Sequence, residues 1–125
     1  MVEYDYLELL KAIRMCASNP RYGVIVFTGT ERRAEVAFDE AVDAITHDEE
    51  TRQILDTYHK RHGEYAITYC NGSIMRFSSL KESSRGCRAN CIIYDSSIDT
   101  RILRDLAFPM ERPYMEENNG TSRRI

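Results

Sequence analysis

Tryptophan is absent from these 125 residues, proline occurs three times, and no apolar run approaches the roughly 20 residues that a membrane-spanning helix needs. The first residues lack the apolar core of a secretory signal. Four cysteines (Cys16, Cys70, Cys87 and Cys91) in a chain without secretory features are expected as reduced thiols in a cytoplasm, host cytoplasm if the protein is viral. There is no excess of basic charge. The net charge is −3, against a general coat for nucleic acid, which depends on neutralising phosphates. The glycine-rich phosphate loop GxxxxGK[ST] is missing as well.

What is present is a soluble globular composition, 42% hydrophobic and 30% charged, in a chain long enough for one domain with a real core. That domain is expected over residues 1–109, with a C-terminal strap and disordered tail over 110–125. Charge is uneven. Residues 1–63 hold 8 Lys/Arg against 12 Asp/Glu, whereas residues 64–125 hold 9 against 8. Arg76, Lys81, Arg85 and Arg88 face only Glu82 within 13 positions. These four are candidate contacts for an anionic surface, whether protein or nucleic acid, and a solvated loop is the plainer reading.

Periodicity predicts a helix over 4–17, with Tyr6, Leu9, Leu10, Ile13 and Ala17 on one face and Asn19-Pro20 as its stop. The apolar run Tyr22 to Phe27 predicts a strand covered on both faces. Thr28-Gly29-Thr30 turns the chain, and Thr30 can cap a helix over 31–46. A more polar helix is expected over 48–61, burying Ile54, Leu55 and Tyr58, with His47, His59 and His62 solvated. From Tyr65 the period shortens: Ala66 to Cys70 and Ile74 to Phe77 flank Asn71-Gly72, a strong hairpin signal. Residues 78–88 read as a polar loop, and Asn90 to Asp95 as a buried strand. Ser97 or Asp99 can cap a last helix through Leu106, ended by Pro109. Helices between strands predict a small three-layer α/β sandwich, its sheet mostly parallel with one β-hairpin at about 65–77.

Taken in order, Val24 to Thr30, Ala34 with Phe38 to Ala41, Asn71-Gly72-Ser73, Ser84-Arg85-Gly86 and the strand ending at Asp95 resemble the ATPase domain of phage terminase large subunits, over roughly residues 4–107. The resemblance implies a helicase-like P-loop fold, with a phosphate-loop strand ahead of the first helix and beside the strand that ends at Asp95. Two family features are missing. The chain begins just ahead of the first helix, leaving no room for that strand and loop. Where the family has Asp-Glu, holding magnesium and activating water, this chain has Asp95-Ser96, and serine is no base at neutral pH. Asp95 and Ser96 are therefore expected to be a vestigial nucleotide or metal site, with no cofactor and no ATP hydrolysis. The implied role is a non-catalytic, phage-type binding or regulatory protein acting on host or viral nucleic-acid machinery, as anti-restriction or anti-CRISPR inhibitors do. The alternative is the catalytic part of an ATPase or a metal-dependent nuclease completed by a partner.

Other chemistry is weaker. Cys87 and Cys91 with Cys70, His59 and His62 lack the two tight ligand pairs of structural zinc. Tyr114, with Met110 and Met115 beside Pro109 and Pro113, is a candidate strap for a protein partner. Loss of the family's central strand would leave residues 22–28 and 90–95 as bare apolar edges, so a two-fold homodimer is expected, with the strap as a secondary clasp.

Overall fold

A computed structural model describes residues 1–61 and 64–114. His62 and the tail from Met115 onward, including the expected disorder there, lie outside the described residues. The chain forms one six-stranded sheet in the order β1-β6-β2-β5-β4-β3. Its strands are β1 (Val2–Glu3), β2 (Gly23–Thr28), β3 (Leu55–Arg61), β4 (Glu64–Tyr69), β5 (Ile74–Ser79) and β6 (Cys91–Tyr94). The pairs β1·β6, β6·β2 and β2·β5 are parallel; β5·β4 and β4·β3 are antiparallel. This is the expected α/β architecture, a mostly parallel sheet with the 65–77 hairpin flanked by helices.

Helix α1 (Tyr6–Ser18) starts where Asp5 accepts the Glu8 N–H, and α2 (Glu31–Thr46) starts where Thr30 accepts the Arg33 N–H. Each lays an apolar stripe on one sheet face. Leu9, Ile13 and Cys16 from α1 and Ala34, Phe38, Ala41 and Ile45 from α2 meet Val24, Val26, Ile67, Met75, Phe77 and Ile93. The rings of Phe38 and Phe77 meet edge to face at 5.7 Å. The other face is covered over only part of its width. A helical run at 100–110 buries Leu103, Leu106, Ala107 and Met110 against Ile25, Phe27 and Ile92. The molecule thus has three layers over β6 and β2, and two over β5, β4 and β3.

That run begins at Asp99, which accepts the Arg101 N–H, and it changes pitch twice: α over Thr100–Ile102 (α4), a wider turn over Leu103–Ala107, and a tight 3₁₀ turn over Phe108–Met110. Pro109 lies inside the last turn rather than ending the run before it, since its missing N–H costs little at a helical start.

Three expectations are corrected. The helix expected over 48–61 stops early: α3 spans Glu49–Ile54, and the chain then straightens into β3, the sheet's outer edge. A strand does precede α1. β1 lies beside β6, the place that the terminase resemblance assigns to the phosphate-loop strand, but it is two residues long and turns through Tyr4-Asp5 with no glycine-rich loop. Finally, the strands at 22–28 and 90–95 are not bare edges. β2 is interior. The outer side of β6 is covered by β1, by the Tyr4 N–H to the Tyr94 carbonyl (2.7 Å), and by residues 110–112. There the Ala89 N–H reaches the Met110 carbonyl (3.1 Å), the Arg112 N–H reaches the Ala89 carbonyl (2.7 Å), and the Ile92 N–H donates to Glu111 Oε2 (3.0 Å). The α-amino group of Met1 donates to the other oxygen of Glu111 at 2.8 Å.

The Asn71-Gly72-Ser73 turn does more than reverse the hairpin. The last carbonyls of a helix have no partner inside it. Here Asn71 Nδ2 donates to the Cys16 carbonyl (2.8 Å), and Ser73 Oγ donates to the Asn19 carbonyl (2.7 Å). Ser73 Oγ also accepts the Tyr22 N–H at 2.9 Å, and the residue is 1% exposed. One triplet, with Ser73 buried, therefore joins the end of α1, the start of β2 and the start of β5. Gly72 takes φ +88°, which a side chain would resist.

Candidate functional site

Strand register determines which side chains share the uncovered half of the second face. His59, Ala66, Arg76 and Ile25 lie in one row across β3, β4, β5 and β2; Arg61, Glu64, Ser78 and Phe27 lie in the next. With the loop at 80–88 as a wall, these rows form a groove of about 350 Å³. Its floor is apolar (Ile25, Phe27, Ala66, Ile74), and Arg61, Arg76 and Lys81 stand around it with Glu64 as the one acid. Hydroxyls of Ser78, Ser83 and Ser84 and the Cys87 thiol complete the lining. Among the described residues, Arg61, Arg76 and Lys81 make no ion pair. Their charge is thus available to a ligand.

Of the four cations expected to act together, the groove gathers Arg76 and Lys81. Arg85 turns back on Glu82, Nε to Oε1 at 3.2 Å and Nη2 to Oε2 at 3.4 Å, and Arg88 is exposed outside the groove lining. Arg61 and His59 are new members. The signal available for them was alternation in Thr57, His59 and Arg61, which a strand places on one face.

On the opposite side of β3, Lys60 is anchored by α2, with Nζ 3.1 Å from Glu35 and 3.4 Å from Asp39. The hydrogen bond with Lys60 holds the Glu35 carboxyl below its ordinary range and raises the Lys60 ammonium above its own. Tyr58 lies on this side too, half of it exposed, its ring edge-on to Phe38 at 6.1 Å.

The expected vestigial site sits where parallel strands end, the usual place for a ligand crevice in α/β sheets. Tyr4, Thr28, Arg33, Glu40 and Asp95 line a shallow recess there. Asp95 is already engaged: Arg33 Nη1 lies 3.1 Å from Oδ2, and Ser97 Oγ donates to the same oxygen at 2.9 Å. Gly29 leaves room for that serine, since a Cβ there would come within 2.5 Å of Ser97 Oγ. Tyr4 donates its hydroxyl to Glu40, and partial burial with that acid beside it raises the phenol. Ser96 is exposed. At α1, the N-terminus that would face a phosphate is closed by the chain's own Asp5, 2.8 Å from the Glu8 N–H.

The cysteines are dispersed. Cys87 lines the groove, Cys91 packs with the core on the other face, Cys70 is exposed in the hairpin turn, and Cys16 is fully buried, its thiol pushed up by desolvation. Among the described residues, no three His, Cys, Asp or Glu side chains are grouped to hold a metal ion. No described helix is long and apolar enough to cross a membrane.

Tyr114 points inward. Its hydroxyl donates to the Pro20 carbonyl at 2.7 Å, and its ring meets Tyr22 at 5.2 Å. Asn90 Nδ2 donates to the carbonyls of Arg112 and Pro113. Residues 110–114 are thus fastened to their own chain, with Tyr114 spent on that contact rather than extended as a clasp. No family model, curated protein or solved structure matches this chain.

Proposed function

We propose that this protein is a non-catalytic binding module that takes an anionic partner on the uncovered half of its sheet. One observation carries the reading: Arg61, Arg76 and Lys81 converge on an apolar-floored groove with no acid paired to any of them among the described residues. A folded chain gains little by holding three cations together unpaired, whereas a ligand carboxylate or phosphate gains from each, most of all from arginine's two-pronged geometry. The terminase-like resemblance adds a direction: a partner within host or viral nucleic-acid machinery, bound and modulated rather than cut. The enzyme alternative has less support. Asp95 would have to give up Arg33 and Ser97 before holding magnesium, and a carboxylate at the start of α1 repels the phosphate it would need to receive. A homodimer loses its original motive, because β2 and β6 are covered within one chain.

Retention on immobilised heparin and on immobilised polyglutamate tests the reading. The native chain is expected to elute from at least one matrix well after the Arg61→Glu, Arg76→Glu, Lys81→Glu variant, with unchanged circular dichroism. Equal elution from both matrices refutes it.

A further inference from the structure

We infer that the partner presents an acidic, extended polypeptide segment that joins the sheet as a seventh strand beside β3. This rests on reading the groove as the partner-binding surface. β3 is the last strand in the order, so its outer N–H and C=O groups face away from the sheet. An edge of this kind is a ready template for another chain.

Chemistry along β3 selects the occupant. On the groove side stand His59 and Arg61, with Arg76 two strands further in and Lys81 on the loop. On the helix side stands Tyr58, 48% exposed, against Phe38. An added strand alternates its side chains between these two environments. Acidic residues at every second position would meet Arg61, the cation next to the edge, with Arg76 and Lys81 adding to the positive field behind it, and apolar residues between them would cover Tyr58.

Nucleic acid fits this edge less well. Base recognition on an open sheet needs exposed rings for stacking. Of the rings lining the groove, Phe27, Phe77 and Tyr65 are 1%, 0% and 9% exposed, and Tyr58 faces the other side; the imidazole of His59 is the one exposed ring among the described residues there, a single platform where sheet readers of RNA stack two or three bases. A second copy would bring another His59, Lys60 and Arg61 to the same junction, and the acids matching Lys60 are engaged inside each chain.

The experiment uses the full chain and three labelled probes followed by fluorescence anisotropy at about 50 mM salt, where screening is weak. They are an acetylated, amidated peptide of alternating Glu and Val, its Lys-for-Glu counterpart, and a single-stranded oligothymidylate. The acidic peptide is expected to bind about tenfold or more tightly than either of the others, and to lose about tenfold in Arg61→Glu, Arg76→Glu protein whose melting temperature is unchanged. N-methylation of every second peptide amide is expected to abolish binding, and the bound peptide to slow amide exchange along β3. Binding of oligothymidylate as tight as that of the acidic peptide, or tighter, overturns the polypeptide assignment and leaves the anionic groove standing. Equal binding of the basic peptide overturns the charge selection. Full binding of the methylated peptide overturns strand addition. If no probe binds, the groove reading itself fails. A mass that doubles with concentration and is lost in the Arg61→Glu variant assigns the edge to a second copy instead.

Discussion

Removing a single oxygen, by Ser73→Ala, should cost this fold several times more than an ordinary surface change. Ser73 Oγ accepts the Tyr22 N–H at 2.9 Å and donates to the Asn19 carbonyl at 2.7 Å, in a site 1% exposed. Alanine fits the space, so cavity and overpacking terms are small and the loss is almost purely one of hydrogen bonding. Tyr22 is itself 8% exposed, and its orphaned N–H should cost about 1–3 kcal/mol. The half-buried Asn19 carbonyl adds about 0.5–1.5 kcal/mol, since water can partly replace its donor. A total of about 2–4 kcal/mol follows. At a urea slope of about 2 kcal/mol per molar, the unfolding midpoint should fall by about 1–2 M. Ser96→Ala, at an exposed site, is the control and should change stability by less than about 0.5 kcal/mol. Equal midpoints for the two variants would refute the role assigned to Ser73.

Two further outcomes rest on other contacts of the fold. Glu111→Ala orphans the Ile92 N–H and the Met1 ammonium while the backbone bonds of residues 110–112 to Ala89 remain; a loss of about 1–3 kcal/mol in urea unfolding is expected, and a loss below about 0.5 kcal/mol would mean that the Glu111 carboxylate contributes little. Burial pushes the Tyr22 phenol up to about 12, from about 10 in an unfolded chain, so its neutral form is the one the fold protects. That contribution is complete below pH 10 and is lost as pH rises toward 12; the melting temperature should therefore fall over that window, less steeply in Tyr22→Phe, and parallel curves for the two proteins would contradict the assignment.

The architecture was legible where side chains have one dry face. Leu9, Ile13, Phe38 and Ile45 recur at helical spacing because α1 and α2 each bury one stripe, and the run from Val24 to Phe27 is continuous because β2 is covered on both sides. β3 escaped for the opposite reason. Its alternate residues meet a wet groove on one side and ion pairs with α2 on the other, so neither set is apolar and the two-residue period leaves no hydrophobic trace. Arg61 and His59 were lost to the candidate site with it. Arg85 was overcounted because sequence spacing does not reveal a guanidinium folded onto Glu82 three residues back. β1 is too short for any pattern, and its pairing depends wholly on β6 arriving beside it.

That arrival has a consequence during synthesis. β6 lies between β1 and β2, yet it is made last. At about 5–20 residues per second, the roughly 60 residues separating β2 from β6 take the ribosome about 3–12 s to add. Throughout that interval the side of β2 that will face β6, with the apolar Val24 to Phe27 behind it, has no partner strand, and β1 has nothing to pair with. The N-terminal quarter of the molecule is thus translated early and completed late. A nascent chain stalled before Cys91 would leave that edge open to other chains, while one released past Glu111 has both β6 and the segment that covers it.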